Sequence, residues 1–91
     1  MAIKVRIPTA LRRYSNGAAE ITIDAASVVD AISALESQCP GIRERLVDDS
    51  GEIRRFINLY VNGEDVRFVN GLQTPLKAGD EVSIVPAMAG G

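Results

Sequence analysis

The chain has 91 residues, a net charge of -2, no histidine and one cysteine. This length allows one small domain with a single core, and the slight acidic excess gives no electrostatic reason to bind nucleic acid. Without histidine, and with one cysteine, the chain cannot build a zinc cluster or a Ser-His or Cys-His catalytic pair. The sequence therefore predicts a small protein that is not itself an enzyme.

The N-terminal segment and the cysteine content indicate the compartment. Residues 1–10, MAIKVRIPTA, contain no apolar signal core, and no apolar run approaches the length of a membrane span. Cys39 has no second cysteine with which to form an internal disulfide, which is typical of a reducing compartment. We expect a cytoplasmic protein with neither a membrane nor a nucleic acid as partner.

Two runs near the N-terminus, residues 3–8 and 20–24, alternate apolar with polar side chains. This pattern is typical of half-buried strands. The inward-facing side chains are expected to be Ile3, Val5, Ile7, Ile21 and Ile23. A turn rich in Ser15, Asn16 and Gly17 separates the runs, so they predict a hairpin.

From Ser27 the apolar spacing becomes helical. Ser27 and Asp30 resemble a capping box in which Asp replaces the usual Glu, and the helix should end near Cys39, because Pro40-Gly41 follows. The apolar stripe is predicted to contain Val28, Val29, Ile32 and Leu35. Residues 42–55, IRERLVDDSGEIRR, favour one short helical turn and a loop; their alternating charges are typical of a solvated segment, although the arginines also allow steering of an acidic partner.

The C-terminal half predicts three more strands. Residues 56–62, FINLYVN, give the strongest strand signal, and the tight-turn pair Asn62-Gly63 follows. Residues 66–68 are expected to form a short returning strand and residues 81–85 the last strand. With the helix covering one face of a mixed sheet, the fold class is α+β.

Strand alternation divides the side chains between the two faces of this sheet. The side chains expected to meet the helix are Ile57, Leu59, Val61, Val82 and Ile84. The open face is predicted to carry Phe56, Tyr60 and Val85 beside cationic side chains. Such a cluster is either a docking surface or the scattered apolar surface that monomers have.

A family resemblance extends over nearly the whole chain. Its carriers are the helix end Pro40-Gly41-Ile42, the blocks RFINLYVNGEDVRF and GLQTPLKAGDEVSIVP, and the terminal Gly90-Gly91. These are similar to the ubiquitin-like β-grasp sulfur carriers, the family of the molybdopterin synthase small subunit and the thiamine sulfur carrier. The blocks RFINLYVN, EDVRF and PAMAGG most resemble the carrier of thiocarboxylate-dependent cysteine biosynthesis. The resemblance implies a β-grasp domain at 1–85 and a flexible tail at 86–91.

The resemblance also implies a chemistry. An E1-like enzyme would adenylate the Gly91 carboxylate with ATP, and a sulfurtransferase or a sulfide source would convert it to a thiocarboxylate that serves a biosynthetic acceptor enzyme. The carrier itself would bind no cofactor. The tail residues expected to enter partner enzymes are Ala87, Met88, Ala89 and Gly90. In this fold the docking patch lies on the open sheet face, which favours a docking role for Tyr60, Phe56 and Val85.

Three questions remain open from the sequence. The activated Gly91 would serve equally for attachment to a lysine, as in a ubiquitin-like protein modifier. A third possibility, beside a sulfur carrier and a protein modifier, is a β-grasp binding module in which the Gly-Gly is incidental. Cys39 stands where the family more often has an aromatic residue or histidine, and a small side chain packed against the core is favoured over a sulfur-carrying role.

Overall fold

A computed structural model of the chain describes residues 2–86. Over these residues the strands are β1 (Ala2–Arg6), β2 (Glu20–Asp24), β3 (Ile57–Val61), β4 (Glu64–Asp65) and β5 (Glu81–Pro86), and the α-helices are α1 (Val28–Gln38) and α2 (Arg43–Leu46). Short 3-10 helices cover Thr9–Tyr14, Val66–Phe68 and Gly71–Gln73. No helix in this part of the chain has the length and apolarity needed to cross a membrane.

The strands form one mixed sheet in the order β2-β1-β5-β3-β4. β1 and β5 are parallel and central, with Val5 opposite Val82, and the other neighbouring pairs are antiparallel. This register places the buried apolar residues of every long strand on the same face, as Leu59 opposite Ile84 illustrates. The predicted α+β fold, with its N-terminal hairpin and mixed sheet, is confirmed.

Helix α1 covers that apolar face. Its buried residues are Val28, Ala31, Ile32 and Leu35, which share one side of a helix by their i, i+3, i+4 and i+7 spacing. Val29, predicted to widen the stripe, is instead 36% exposed, because its position in the helix turns it away from the side that Ala31 occupies. The buried side of α1 is therefore shifted toward Ala31 relative to the side that the sequence pattern predicts.

The helix ends largely follow the sequence prediction. The Ser27 hydroxyl oxygen accepts a hydrogen bond from the Asp30 N–H at 3.3 Å, which confirms the N-cap, and Cys39 is the C-cap residue. Beyond it, the Glu36 carboxylate accepts hydrogen bonds from the N–H groups of Gly41 and Arg43, both at 2.9 Å. Both bonds lower the Glu36 pKa, and the bond from Gly41 has the larger effect. One side chain therefore joins the end of α1 to the beginning of α2.

Two connections differ from the predictions. The expected turn between β1 and β2 also contains the 3-10 helix Thr9–Tyr14, whose Leu11 is buried. The returning strand after Asn62-Gly63 is Glu64–Asp65, and Val66–Phe68, predicted to be this strand, is helical. The Asp65 carboxylate accepts a hydrogen bond from the Arg67 N–H at 2.9 Å, so it caps the 3-10 helix and ends the strand after two residues.

Candidate functional site

The site predicted from the sequence lies beyond the end of β5. This strand is flanked by β1 and β3, and its last residue, Pro86, is opposite Ile57. Residues 87–91, which include the predicted tail residues and Gly91, lie outside the described residues. Even fully extended, five residues span at most roughly 18 Å. A protein that acts on Gly91 must therefore come within that distance of Pro86.

Two of the predicted docking residues lie on the open face of the sheet. Tyr60 is half-buried, opposite Ser83 of β5 and Asp65 of β4. Val85 is 41% exposed and opposite Asn58. Tyr60 and Val85 are therefore diagonal neighbours on adjacent strands, close enough for side chains of this size to form one contact surface.

The structure corrects the position of Phe56. Pairing of β3 begins at Ile57, so the strand alternation that would place Phe56 beside Tyr60 does not extend to it. Phe56 is 54% exposed and lines a groove of about 480 Å³ at the end of the sheet. The other residues of this groove, which we call the exit groove, are Leu11, Glu44, Arg45, Arg54, Ile57 and Pro86.

A second groove lies on the other side of the end of β5. It is lined by Arg6, Ile7, Pro8, Arg12, Ser83, Ile84 and Val85. Arg12 is held there because its Nε–H donates to the Ile7 carbonyl at 3.1 Å. Val85 thus belongs both to the open face and to this groove, and the surface around Pro86 is basic on both sides.

The exit groove adjoins a cluster that sequence reasoning missed. The Arg45 Nε–H donates to the Tyr14 hydroxyl at 2.8 Å, and this bond is the main cause of a lowered Tyr14 pKa. The Arg13 guanidinium lies 5.3 Å from the centre of the same ring. The only sequence signal was charge, since nothing in the spacing of Tyr14 and Arg45 indicates that the chain brings them together.

Gly41 completes the packing around Tyr14. Its φ of 97° is in the left-handed region, which glycine adopts at no steric cost. A Cβ at this position would lie 3.2 Å from Cε1 of the Tyr14 ring. The Pro40-Gly41 pair therefore does more than end α1, because the absence of a side chain allows the ring to lie against the turn.

Cys39 belongs to the core. It is 1% exposed, and burial, followed by the nearby Glu36 carboxylate, raises the pKa of its thiol. Thiol reactivity depends on the thiolate, so this environment suppresses it. The structure supports the packing role favoured from the sequence.

Comparison with known proteins gives the family. The sequence pattern of the ThiS family matches residues 5–91, and the chain belongs to this family. It is 46% identical over the whole of both chains to the sulfur carrier protein CysO of Mycobacterium tuberculosis strain H37Rv. Among solved structures, the Amycolatopsis orientalis BexX/CysO complex contains a chain with a TM-score of 0.93 and 46% identity, over 99% of this chain and 100% of that one.

A further relative is named for a different role. The small archaeal modifier protein 3 of Haloferax volcanii is 40% identical over 68 residues, which cover 75% of this chain and 73% of that protein. The predicted resemblance to ubiquitin-like sulfur carriers is confirmed, and the β-grasp fold with it. The M. tuberculosis relative, matched over its full length, is named a sulfur carrier protein.

Proposed function

We propose that the protein is a sulfur carrier whose reactive group is the Gly91 carboxylate. An E1-like enzyme binds the tail and ATP; a carboxylate oxygen of Gly91 attacks the α-phosphorus, and pyrophosphate leaves. Sulfide then attacks the acyl carbon of the adenylate, AMP leaves with the bridging oxygen, and a proton is released. The product is a thiocarboxylate, whose charged sulfur is nucleophilic in the way that a thiolate is.

The observation that carries this proposal is the 46% identity to CysO over the full length of both chains. The ThiS family match supports it further, since it extends through Gly91. The absence of histidine from the chain is consistent with a carrier whose catalysis is supplied by partners. The sequence blocks favour cysteine biosynthesis as the pathway of the acceptor enzyme; molybdopterin, thiamine or a secondary metabolite would use the same carrier chemistry.

The composition of residues 87–91 suits passage into an enzyme. Gly90 and Gly91 have no Cβ, so a partner's backbone and nucleotide can approach them closely. Ala87 and Ala89 keep the preceding segment narrow, and Met88 is the one large side chain among them. We propose that Ala87, Met88, Ala89 and Gly90 contact the enzymes that act on Gly91.

The proposed partners are the adenylating enzyme, a sulfurtransferase or sulfide source, and the sulfur-accepting enzyme. The carrier binds no cofactor, and ATP is the substrate of the adenylating partner. Tyr60 and Val85 on the open face, and Phe56 in the exit groove, are proposed docking contacts. A solved BexX/CysO complex of a relative supports binding of the carrier to another protein. We place the reaction in the cytoplasm.

The intact mass of the protein tests the chemistry. The protein, without a C-terminal tag, is incubated with ATP, sulfide and a lysate of its native cells. Exchange of one oxygen for sulfur, localised to Gly91, is expected. The variant lacking Gly90-Gly91 should show no exchange yet keep its melting temperature, because the core residues lie between Ile3 and Ile84. An unchanged mass, with a related carrier converted in the same lysate, would contradict the proposal.

A second candidate function is that of a protein modifier. It is favoured by the similarity to the small archaeal modifier protein 3 and starts from the same adenylate, which a lysine amine attacks in place of sulfide. Isopeptide-linked adducts that contain Gly91, recovered from native cells by mass spectrometry, would support it. Addition of one residue after Gly91 should abolish both functions; unchanged function would instead indicate an interaction domain with an incidental Gly-Gly.

A further inference from the structure

The charges of the molecule are divided between the two ends of the sheet. At the end where β5 finishes, the two grooves beside Pro86 are lined by four arginines and one carboxylate, namely Arg6, Arg12, Arg45, Arg54 and Glu44. Arg6 is also paired with the carboxylates of Glu20 and Glu81, so the basic character of this end comes from the other three arginines. At the other end, acidic residues end β2 (Asp24), begin β4 (Glu64) and precede β5 (Asp80). A net charge of -2 therefore conceals a basic end and an acidic end.

The arginines of the basic end are held in place while their terminal nitrogens stay available. The Nε–H groups of Arg12, Arg45 and Arg54 donate to Ile7 O, Tyr14 Oη and Glu44 O respectively. Within residues 2–86 the Nη groups of these three side chains have no hydrogen-bond partner. A guanidinium positioned in this way is suited to bidentate binding of a carboxylate.

The exit groove also has an apolar part. Leu11 and Ile57 are buried beneath it, and Phe56 stands beside them with 54% of its surface exposed. An apolar side chain of a partner would cover Phe56, while carboxylates around it would meet Arg45 and Arg54. This combination of a central aromatic contact with a charged rim is characteristic of protein interfaces.

We infer that the exit groove binds an acidic surface with an apolar side chain at its centre, on the enzyme that adenylates Gly91. The inference rests on the proposed function. Its second support is distance: an enzyme that holds Gly91 lies within roughly 18 Å of Pro86, and Pro86 is itself a wall of the groove. The basic end is therefore the end of the sheet nearer to such an enzyme.

Two variants and a matched control test the inference. Arg54→Glu reverses one charge in the groove, and Phe56→Ala removes the apolar contact. Lys77→Glu makes the same charge change in the turn before β5, at the acidic end. The enzyme is the fraction of native cells that catalyses ATP–pyrophosphate exchange dependent on the wild-type protein, and KM for each protein is measured at about 20 mM and about 500 mM salt.

Arg54→Glu should raise KM for the carrier roughly tenfold at low salt, and the difference should fall to less than about twofold at high salt. Phe56→Ala should raise KM at both salt concentrations, because apolar contact is not screened. Lys77→Glu should leave KM within about twofold of wild type. Circular dichroism melts confirm that each variant is folded. Phe56→Ala is expected to disturb the fold least, because the Phe56 side chain is half exposed.

Other results would overturn the inference in distinguishable ways. Equal KM values for Arg54→Glu, Phe56→Ala and wild type, with exchange intact, would remove the groove from the interface and leave the carrier proposal standing. A change in KM for ATP rather than for the carrier would assign Arg54 to nucleotide phosphate. Absence of exchange with the wild-type protein, together with no sulfur gain, would overturn both proposals.

Discussion

The two faces of the sheet arise from the same alternation but differ in what they contribute. On the face beneath α1, Val82 is 3% exposed and Ile84 4%. On the open face Val85, the residue after Ile84, is 41% exposed. On the same face a terminal guanidinium nitrogen of Arg6 lies 3.9 Å from a carboxylate oxygen of Glu20 and 3.7 Å from one of Glu81. Exposed ion pairs of this kind contribute little stability. The covered face therefore holds the fold together, and the open face is available to partners.

The valines of β5 give the largest expected contrast. Val82→Ala should lower the free energy of unfolding by about 2 kcal/mol, because it leaves a cavity under α1. Val85→Ala, the same substitution on the open face, should cost less than about 0.5 kcal/mol. Urea unfolding of both variants measures the difference. Similar losses at the two positions would show that the open face is also part of the core.

A tyrosine substitution tests the other half of the comparison. Tyr60→Thr should raise KM for the carrier about fivefold in adenylation, since aromatic side chains dominate interface energies, while threonine remains suited to a strand. Aspartate is a poorer choice here, because it would stand opposite Asp65. Phe68→Ser is the control, because Phe68 is 84% exposed and is no proposed contact. An equal effect of both variants would remove Tyr60 from the docking surface.

The sequence predicted the features that depend on local periodicity. Alternation in FINLYVN and in residues 3–8 correctly identified buried positions such as Leu59 and Val5. The pair Asn62-Gly63 predicted its turn because both residues tolerate positive φ, here 52° and 87°. The terminal Gly-Gly and the family blocks led to the family itself. Each of these signals is formed by residues that are close together in the sequence.

The features that were missed depend on contacts between distant segments. Arg45 donates a hydrogen bond to Tyr14, although β2 and α1 separate the two residues along the chain. The periodicity of the sequence does not predict such a contact. Residues 66–68 have strand-like composition, yet the Asp65 side chain competes for the Arg67 N–H and starts a 3-10 helix. Phe56 was misplaced because alternation was extended one residue past the paired strand. The exit groove therefore needed the structure.

The helices that cover the buried face of the sheet are joined by one polar side chain, Glu36. Its contribution to stability can be compared with that of the apolar core. Glu36→Gln should lower the free energy of unfolding at pH 7 by about 1 kcal/mol. The N–H groups of Gly41 and Arg43 bind different oxygens of the carboxylate, and the uncharged amide of glutamine has only one oxygen to accept them. The folded pKa is lowered from 4.5, so this stabilisation is present above pH 4.5 and is lost as pH falls through the folded pKa. Unfolding measured at pH 7 and at a pH below the folded pKa should show the wild-type advantage only at pH 7. Glu52→Gln, at an exposed loop residue, should show no such dependence.

The smallest effect is expected at the acidic end of the sheet. The Asp80 carboxylate accepts hydrogen bonds from the Lys77 N–H at 2.8 Å and from Nδ2 of Asn62 at 3.0 Å, and Asn62 also accepts from the Glu81 N–H. These bonds, chiefly the first, lower the Asp80 pKa from 3.8. Asp80→Asn keeps one acceptor and should cost less than about 1 kcal/mol at neutral pH. The difference should disappear as pH falls through the lowered folded pKa.

Thermal melts against pH measure this difference, with Asp49→Asn in the exposed loop after α2 as the control. Adenylation of the Asp80→Asn variant should be unchanged, because the substitution lies at the opposite end of β5 from Pro86. Impaired adenylation in a variant of normal stability would contradict the division between the two ends. It would show that the enzyme extends along the whole open face and that the hydrogen-bonded side chains of Asn62 and Asp80 are part of the contact.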